Sequence, residues 1–107
     1  MALKPWSLPS VTANLVTDFV VPAANKDVAI IGLIVCHCGT TDAAAITVML
    51  TTNTNTIKAL VFQGSLEPGD TVHIDTKVCL AASPTPDKLR VRSTIATVSF
   101  LASGDED

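Results

Sequence analysis

Val28-Ala29-Ile30-Ile31-Gly32-Leu33-Ile34-Val35-Cys36-His37-Cys38 is the stretch on which the fold turns. Val28 to Cys36 is the longest apolar run in the chain, at nine residues. A membrane-spanning helix needs about 20. A run this short and this rich in Val and Ile suits a strand, because β-branched side chains are stiff and pack well on a pleated surface. Alternate residues of a strand point to opposite faces. Val28, Ile30, Gly32, Ile34, Cys36 and Cys38 then share one side, and Ala29, Ile31, Leu33, Val35 and His37 the other. A strand on a solvated sheet alternates apolar with polar residues, and this one is apolar on both faces. Either another part of the same chain covers the second face, or a second subunit does.

The composition favours the subunit. Hydrophobic residues make up 48% of the 107 and charged residues 16%, against about 25% charged in a typical soluble domain. That is too little charge to coat an isolated monomer, and far too apolar for a disordered chain. Ile31, Leu33 and Val35 are therefore the expected interface residues on this strand. The net charge is −3. Asp105, Glu106 and Asp107 account for it, leaving a neutral body with no electrostatic pull toward nucleic acid or an anionic membrane.

Outward from that strand, the rest reads as more strands. Val, Ile and Thr together fill 33 of the 107 positions. Strand-like runs recur at about 15–21, 45–51, 56–62, 71–80, 89–93 and 95–102, separated by turn signals such as Pro22, Gly39, Thr52–Asn55, Pro68-Gly69 and the Pro84/Pro86 loop. The expected fold is all-β: a single antiparallel β-sandwich or jelly-roll-like domain over residues 15–102, the two topologies sharing these signals. Residues 1–14, with Pro5 and Pro9, are expected to form an extended N-terminal arm with Trp6 as an anchor on a neighbouring subunit. Residues 103–107 are expected to be a solvated acidic tail. Since every expected strand lies in 15–102, the sandwich should not need the arm.

Motifs for chemistry are sparse. Cys36-His37-Cys38, Cys79 and His73 could suggest a metal, but zinc needs four ligands converging on one point. On a strand His37 points away from the two cysteines. The three cysteines are expected to be reduced, metal-free and mostly buried; their odd number gives no complete disulfide set. His73 and Asp75 could orient an imidazole, but no nucleophile accompanies them. No glycine-rich phosphate loop is present. The expectation is a non-enzyme with no catalytic residue, no metal and no cofactor. The prolines at the start are unlike a signal peptide, which points to synthesis in a cytoplasm.

One family shares the pattern. Val20-Val21-Pro22-Ala23, the long apolar strand followed by Gly39-Thr40-Thr41, Ile46-Thr47-Val48, Leu66-Glu67-Pro68-Gly69-Asp70-Thr71, Val78-Cys79-Leu80, Leu89-Arg90-Val91 and Val98-Ser99-Phe100 follow one another in order. Over residues 15–102 the chain resembles small β-sandwich virion structural proteins of tailed bacteriophages. It departs from them at Cys36-His37-Cys38, where an Asn-containing turn is expected, and at Ser83–Asp87, which replaces a Gly-Asp. The resemblance implies a non-enzymatic virion protein made in the host cytoplasm. Its leading form is a capsid decoration (cement) protein, a homo-oligomer and typically a homotrimer, bound to the major capsid protein or other virion proteins. The alternatives are a tail, neck or baseplate component and, from another class, a carbohydrate-binding adhesion module.

Overall fold

The computed structural model describes residues 2–75 and 77–106. Met1 and Asp107, the ends of the expected arm and tail, and Thr76 in the expected fifth strand lie outside them.

The described residues contain no helix. Their strands are β1 (Ala2–Leu8), β2 (Thr17–Val20), β3 (Val28–His37), β4 (Ala44–Thr51), β5 (Ile57–Leu66), β6 (Thr71–Ile74), β7 (Val78–Leu80), β8 (Lys88–Ser93) and β9 (Val98–Glu106). All pairings are antiparallel. The pairs β1·β9, β2·β8, β3 with β6 and β7, and β4·β5 nest inside one another. They form a long two-stranded ribbon whose tip is the β4–β5 hairpin. Rolling up the ribbon adds the pairs β9·β3 and β8·β4 and closes two facing sheets, β1-β9-β3-β6 with β7 also paired to β3, and β2-β8-β4-β5. This is the order of a jelly roll, one of the two topologies the sequence leaves open.

Turn chemistry stands where the sequence signals it. At the hairpin tip Asn55 takes a left-handed φ of 72°, and the Thr52 amide donates to Thr56 O. Gly69, with φ of 87°, closes the β5–β6 turn with Pro68, and Asp70 N donates to Glu67 O. The expected strand 71–80 is broken into β6 and β7, yet Val72, Ile74, Val78 and Leu80 all pair with inward residues of β3.

The arm and the tail are corrected. Residues 2–8 are extended, but they are an edge strand of the sandwich, in register with β9 from Ala2↔Glu106 to Leu8↔Phe100. The connection to β2 is also tied down. Val11 N donates to Ala96 O, and Asn14 N to Ser93 O, while the Arg90 guanidinium donates to Val16 O. β9 runs on to Glu106, whose carboxylate accepts from Lys4 Nζ at 2.6 Å and from Ala23 N. The acidic end completes a strand and anchors β1 because its backbone finds partners on both sides, β1 and β3.

The core lies between the sheets. Val28, Ile30, Leu33 and Val35 from β3 meet Ile46, Val48, Leu89 and Val91 from the other sheet, and Phe100 is the largest fully buried side chain. Phe19 stacks obliquely on Phe100 with ring centroids 6.0 Å apart, within the usual range for an aromatic pair.

Candidate interaction surface

Strand β3 does not keep one alternation along its length. Ile30 pairs with Gly104 and Gly32 with Ser103, so Ile31 has no partner on β9. This is a β-bulge, one extra residue that rotates everything after it to the other face. Val28 and Ile30 point inward before it; Leu33, Val35 and His37 point inward after it. Much of the two-sided apolar character of the strand is one inward face written in two phases. Two of the expected interface residues, Leu33 and Val35, are accordingly corrected: they are 3% and 1% exposed and belong to the core of their own chain. Trp6 is corrected as well. It pairs with inward-facing Ala102, is half-buried and packs against the chain's own core, with the Lys4 ammonium 5.5 Å from its ring. Ile31 stays outside, 47% exposed.

What remains outside this sheet is still poor in charge. Ala29, Ile31, Ile34 and Cys36 of β3 lie beside Ser99, Leu101 and Ser103 of β9, Pro5 and Ser7 of β1, and His73 and Cys79 of β6 and β7. No lysine or arginine is in this set, and Asp105 is the acid at its edge. At the bulge the surface sinks into a groove of about 300 Å³, lined by Ile31, Ile34, Ile74 and Leu101 with His73, Asp75 and Ser103 at its margin. The opposite sheet leaves Ile57 and Leu60 exposed on its edge strand β5, but its β2 and β8 strands differ in carrying charge. Asp18 accepts from Arg90 Nε at 2.7 Å and from Lys88 Nζ at 3.2 Å, and Arg92 is exposed nearby. Burial pushes the Asp18 carboxyl up, but the hydrogen bonds and charges of Lys88 and Arg90 together bring it below the ordinary aspartate value.

The Cys36-His37-Cys38 triplet divides as a strand requires. His37 is 1% exposed, and both ring nitrogens are used. Nε2 donates to Asp42 O at 2.7 Å, and Nδ1 accepts from Gly39 N at 3.1 Å. Its backbone pairs with Gly69 and Asp70. It is a core histidine that holds the 38–43 loop and the β5–β6 turn to the end of β3. The cysteines are free, but the expectation that they are mostly buried is corrected. Cys36 is half-buried, and Cys38 and Cys79 are exposed, because β3 and β7 present them on the outer face. The Cys38 thiol lies 3.3 Å from Ser99 Oγ and 3.5 Å from Cys36 Sγ. Ser99 first, then Cys36, hold it below the ordinary thiol value by hydrogen-bonding the sulfur. His73 and Asp75 share the groove margin, with no hydrogen bond between them among the described residues. No three His, Cys, Asp or Glu side chains cluster as metal ligands among the described residues.

The groove and the Ser99–Cys38 contact escape a reading of the sequence, since both are made by pairing β3 with β9, more than 60 residues away. The bulge had a local signal: an isolated glycine inside a strand pattern, Gly32.

No protein-family model matches the chain, and no curated protein matches it.

Proposed function

We propose that this chain is a non-enzymatic structural protein of a bacteriophage particle, a capsid decoration protein that works as a homo-oligomer through the Ile31, Ile34 and Leu101 groove of its β1-β9-β3-β6 sheet, leaving the Cys36–Cys38 end of β3 uncovered. The observation that carries the reading is the contrast between the two outer faces. Association through the β2-β8-β4-β5 sheet would strip water from Asp18, Lys88, Arg90 and Arg92, and burying charges is costly unless each is well paired. Association through Ile31, Ile34 and Leu101 meets less of that cost, since Asp75 stands at the groove margin rather than in its apolar floor. The jelly roll supports the virion part by analogy, as an architecture used by viral capsid domains among others. A sugar-binding module is less well supported: Trp6, Phe19 and Phe62 are half-buried and Phe100 is buried, which leaves no exposed aromatic for a sugar ring.

Sedimentation velocity tests the self-association. The wild type should be oligomeric at tens of micromolar, on the order of ordinary assay concentrations. Leu101→Asp and Ile34→Asp should give folded monomers, and Arg92→Asp should leave the oligomer intact. A monomeric wild type overturns the interface. Copy number in purified virions tests the location. Hundreds of copies mean shell decoration; about six or twelve, the order of a symmetric ring, mean a neck or tail component. Absence from virions overturns the virion reading.

A further inference from the structure

We propose that Cys36 and Cys38 form a reactive dithiol site that captures low-molecular-weight disulfides at Cys38 and closes into an intramolecular Cys36–Cys38 disulfide. Cys36 stands in the outward row of β3, and Cys38 lies one residue beyond the strand's end, exposed on the same side. Their sulfurs are 3.5 Å apart. A disulfide needs about 2.05 Å between sulfurs and Cβ atoms about 3.5–4.5 Å apart, so closure brings the sulfurs roughly 1.5 Å nearer and bends the backbone at Cys38, outside the strand, where the Cys38 N–Thr97 O hydrogen bond is what must yield. Ser99 Oγ lies 3.3 Å from Cys38 Sγ and donates to Pro9 O at 3.3 Å; when the thiol ionises, its proton can turn from that carbonyl to the sulfur and stabilise the thiolate, the form that attacks. No third metal-ligating side chain joins the two sulfurs among the described residues, so thiol chemistry is what the pair offers.

The step balances with a small organic disulfide such as oxidised glutathione as the oxidant. The Cys38 thiolate attacks one glutathione sulfur. The S–S bond of the oxidant breaks, and the first glutathione leaves as a thiolate that takes up a proton. Cys36 then loses its proton and attacks Cys38 Sγ, and the second glutathione leaves in the same way. Two protein thiols are oxidised and one disulfide is reduced to two thiols. Cys38 is the attacking residue, and Cys36 resolves the mixed disulfide. Cys79 is an internal control. It is exposed and on the same sheet face, yet among the described residues it has no side-chain hydrogen bond and no second sulfur beside it.

Intact-mass and peptide mapping after exposure of the full chain to oxidised glutathione test this. The wild type should become lighter by two hydrogens, with a Cys36–Cys38 link in the map. Cys36→Ser should instead keep one glutathione on Cys38, because nothing resolves the adduct. Cys38→Ser should abolish the two-hydrogen loss, and Cys79→Ser should leave it unchanged. A stable glutathione adduct on Cys38 of the wild type would overturn the resolving role of Cys36. Modification of Cys79 with Cys36 and Cys38 still reduced would overturn the site. A melting curve for each variant before treatment separates loss of chemistry from loss of fold: a folded Cys38→Ser variant that still loses two hydrogens also refutes the assignment.

Discussion

Deleting Ile31 should be tolerated, and deleting Ile34, three residues later, should not. Ile31 is the extra residue of the β3 bulge. Without it, Ile30 and Gly32 become neighbours opposite Gly104 and Ser103, which are already neighbours. Val28 and Ile30 before the bulge and Leu33, Val35 and His37 after it stay inward in one unbroken alternation. Within one chain the loss is confined to the contacts of a side chain that is 47% exposed, on the order of 1 kcal/mol or less at ~25 cal/mol per Å², so the comparison is made in the monomeric Leu101→Asp background. Deleting Ile34 has no such escape. If the residues before it keep their places, Val35 and His37 turn outward and both ring hydrogen bonds of His37 are lost. The cheaper repair erases the bulge instead. Gly32 then drops into the inward slot of Leu33, and Leu33, now 3% exposed, moves to the surface. That is a buried leucine replaced by nothing, at least the ~2–5 kcal/mol of a Leu→Ala cavity. Such a loss is a large share of the roughly 5–15 kcal/mol by which a domain of this size is stable. Thermal melting followed by circular dichroism should separate the two deletions by roughly 10 °C or more. Equal melting temperatures, or a less stable Ile31 deletion, would refute the bulge as the cause of the two-sided pattern.

Removing residues 1–8 should lower the melting temperature and promote aggregation rather than leave the sandwich untouched. It strips Trp6 and Leu8 from the core margin and bares β9 as an unprotected edge; a truncated chain that melts like the full one would show that β1 adds nothing to the fold. Gly104→Ala should destabilise by about 1–3 kcal/mol, the usual cost of overpacking. A Cβ there would collide with Ala29 O and lie 2.9 Å from Ala29 C and 3.0 Å from Ile30 Cα, all backbone atoms of the paired strand, and urea unfolding reads the change. Asp18→Asn should flatten part of the acid limb of stability. A carboxyl held below its ordinary value in the folded chain stabilises it above the unfolded value of about 3.9, and that contribution disappears as pH falls through the folded value. Wild type and variant should therefore differ near neutrality and converge in melting temperature as pH falls through the lowered folded value of Asp18; a gap that stays constant as pH falls would show that the ion pairs with Lys88 and Arg90 do not depend on the charge of Asp18.

Strand content, turn positions and sheet class follow from local chemistry, and local chemistry is legible in the sequence. Val, Ile and Thr runs broken by Pro68-Gly69, Thr52–Asn55 and Pro84/Pro86 are enough to specify antiparallel strands, because propensity and turn conformation depend on near neighbours along the chain. The opposed sides of His37 and its flanking cysteines follow from strand geometry in the same way. Three things required the tertiary structure. Which strands pair is set by contacts far apart in sequence, and only the nested pairs β1·β9, β2·β8 and β4·β5 distinguish a jelly roll from other sandwiches. Whether the ends belong to the domain depends on whether an edge is open to receive them. Ala2–Leu8 and Ser103–Glu106 read as arm and tail by composition, yet they are strands because β9 offers one edge to β1 and the other to β3. Which residues of β3 face the core depends on one bulge. Gly32 hints at it, but a shift of one residue exchanges the two faces, so Leu33 and Val35 go inside and Ile31 stays out only once the register against Gly104 and Ser103 is set.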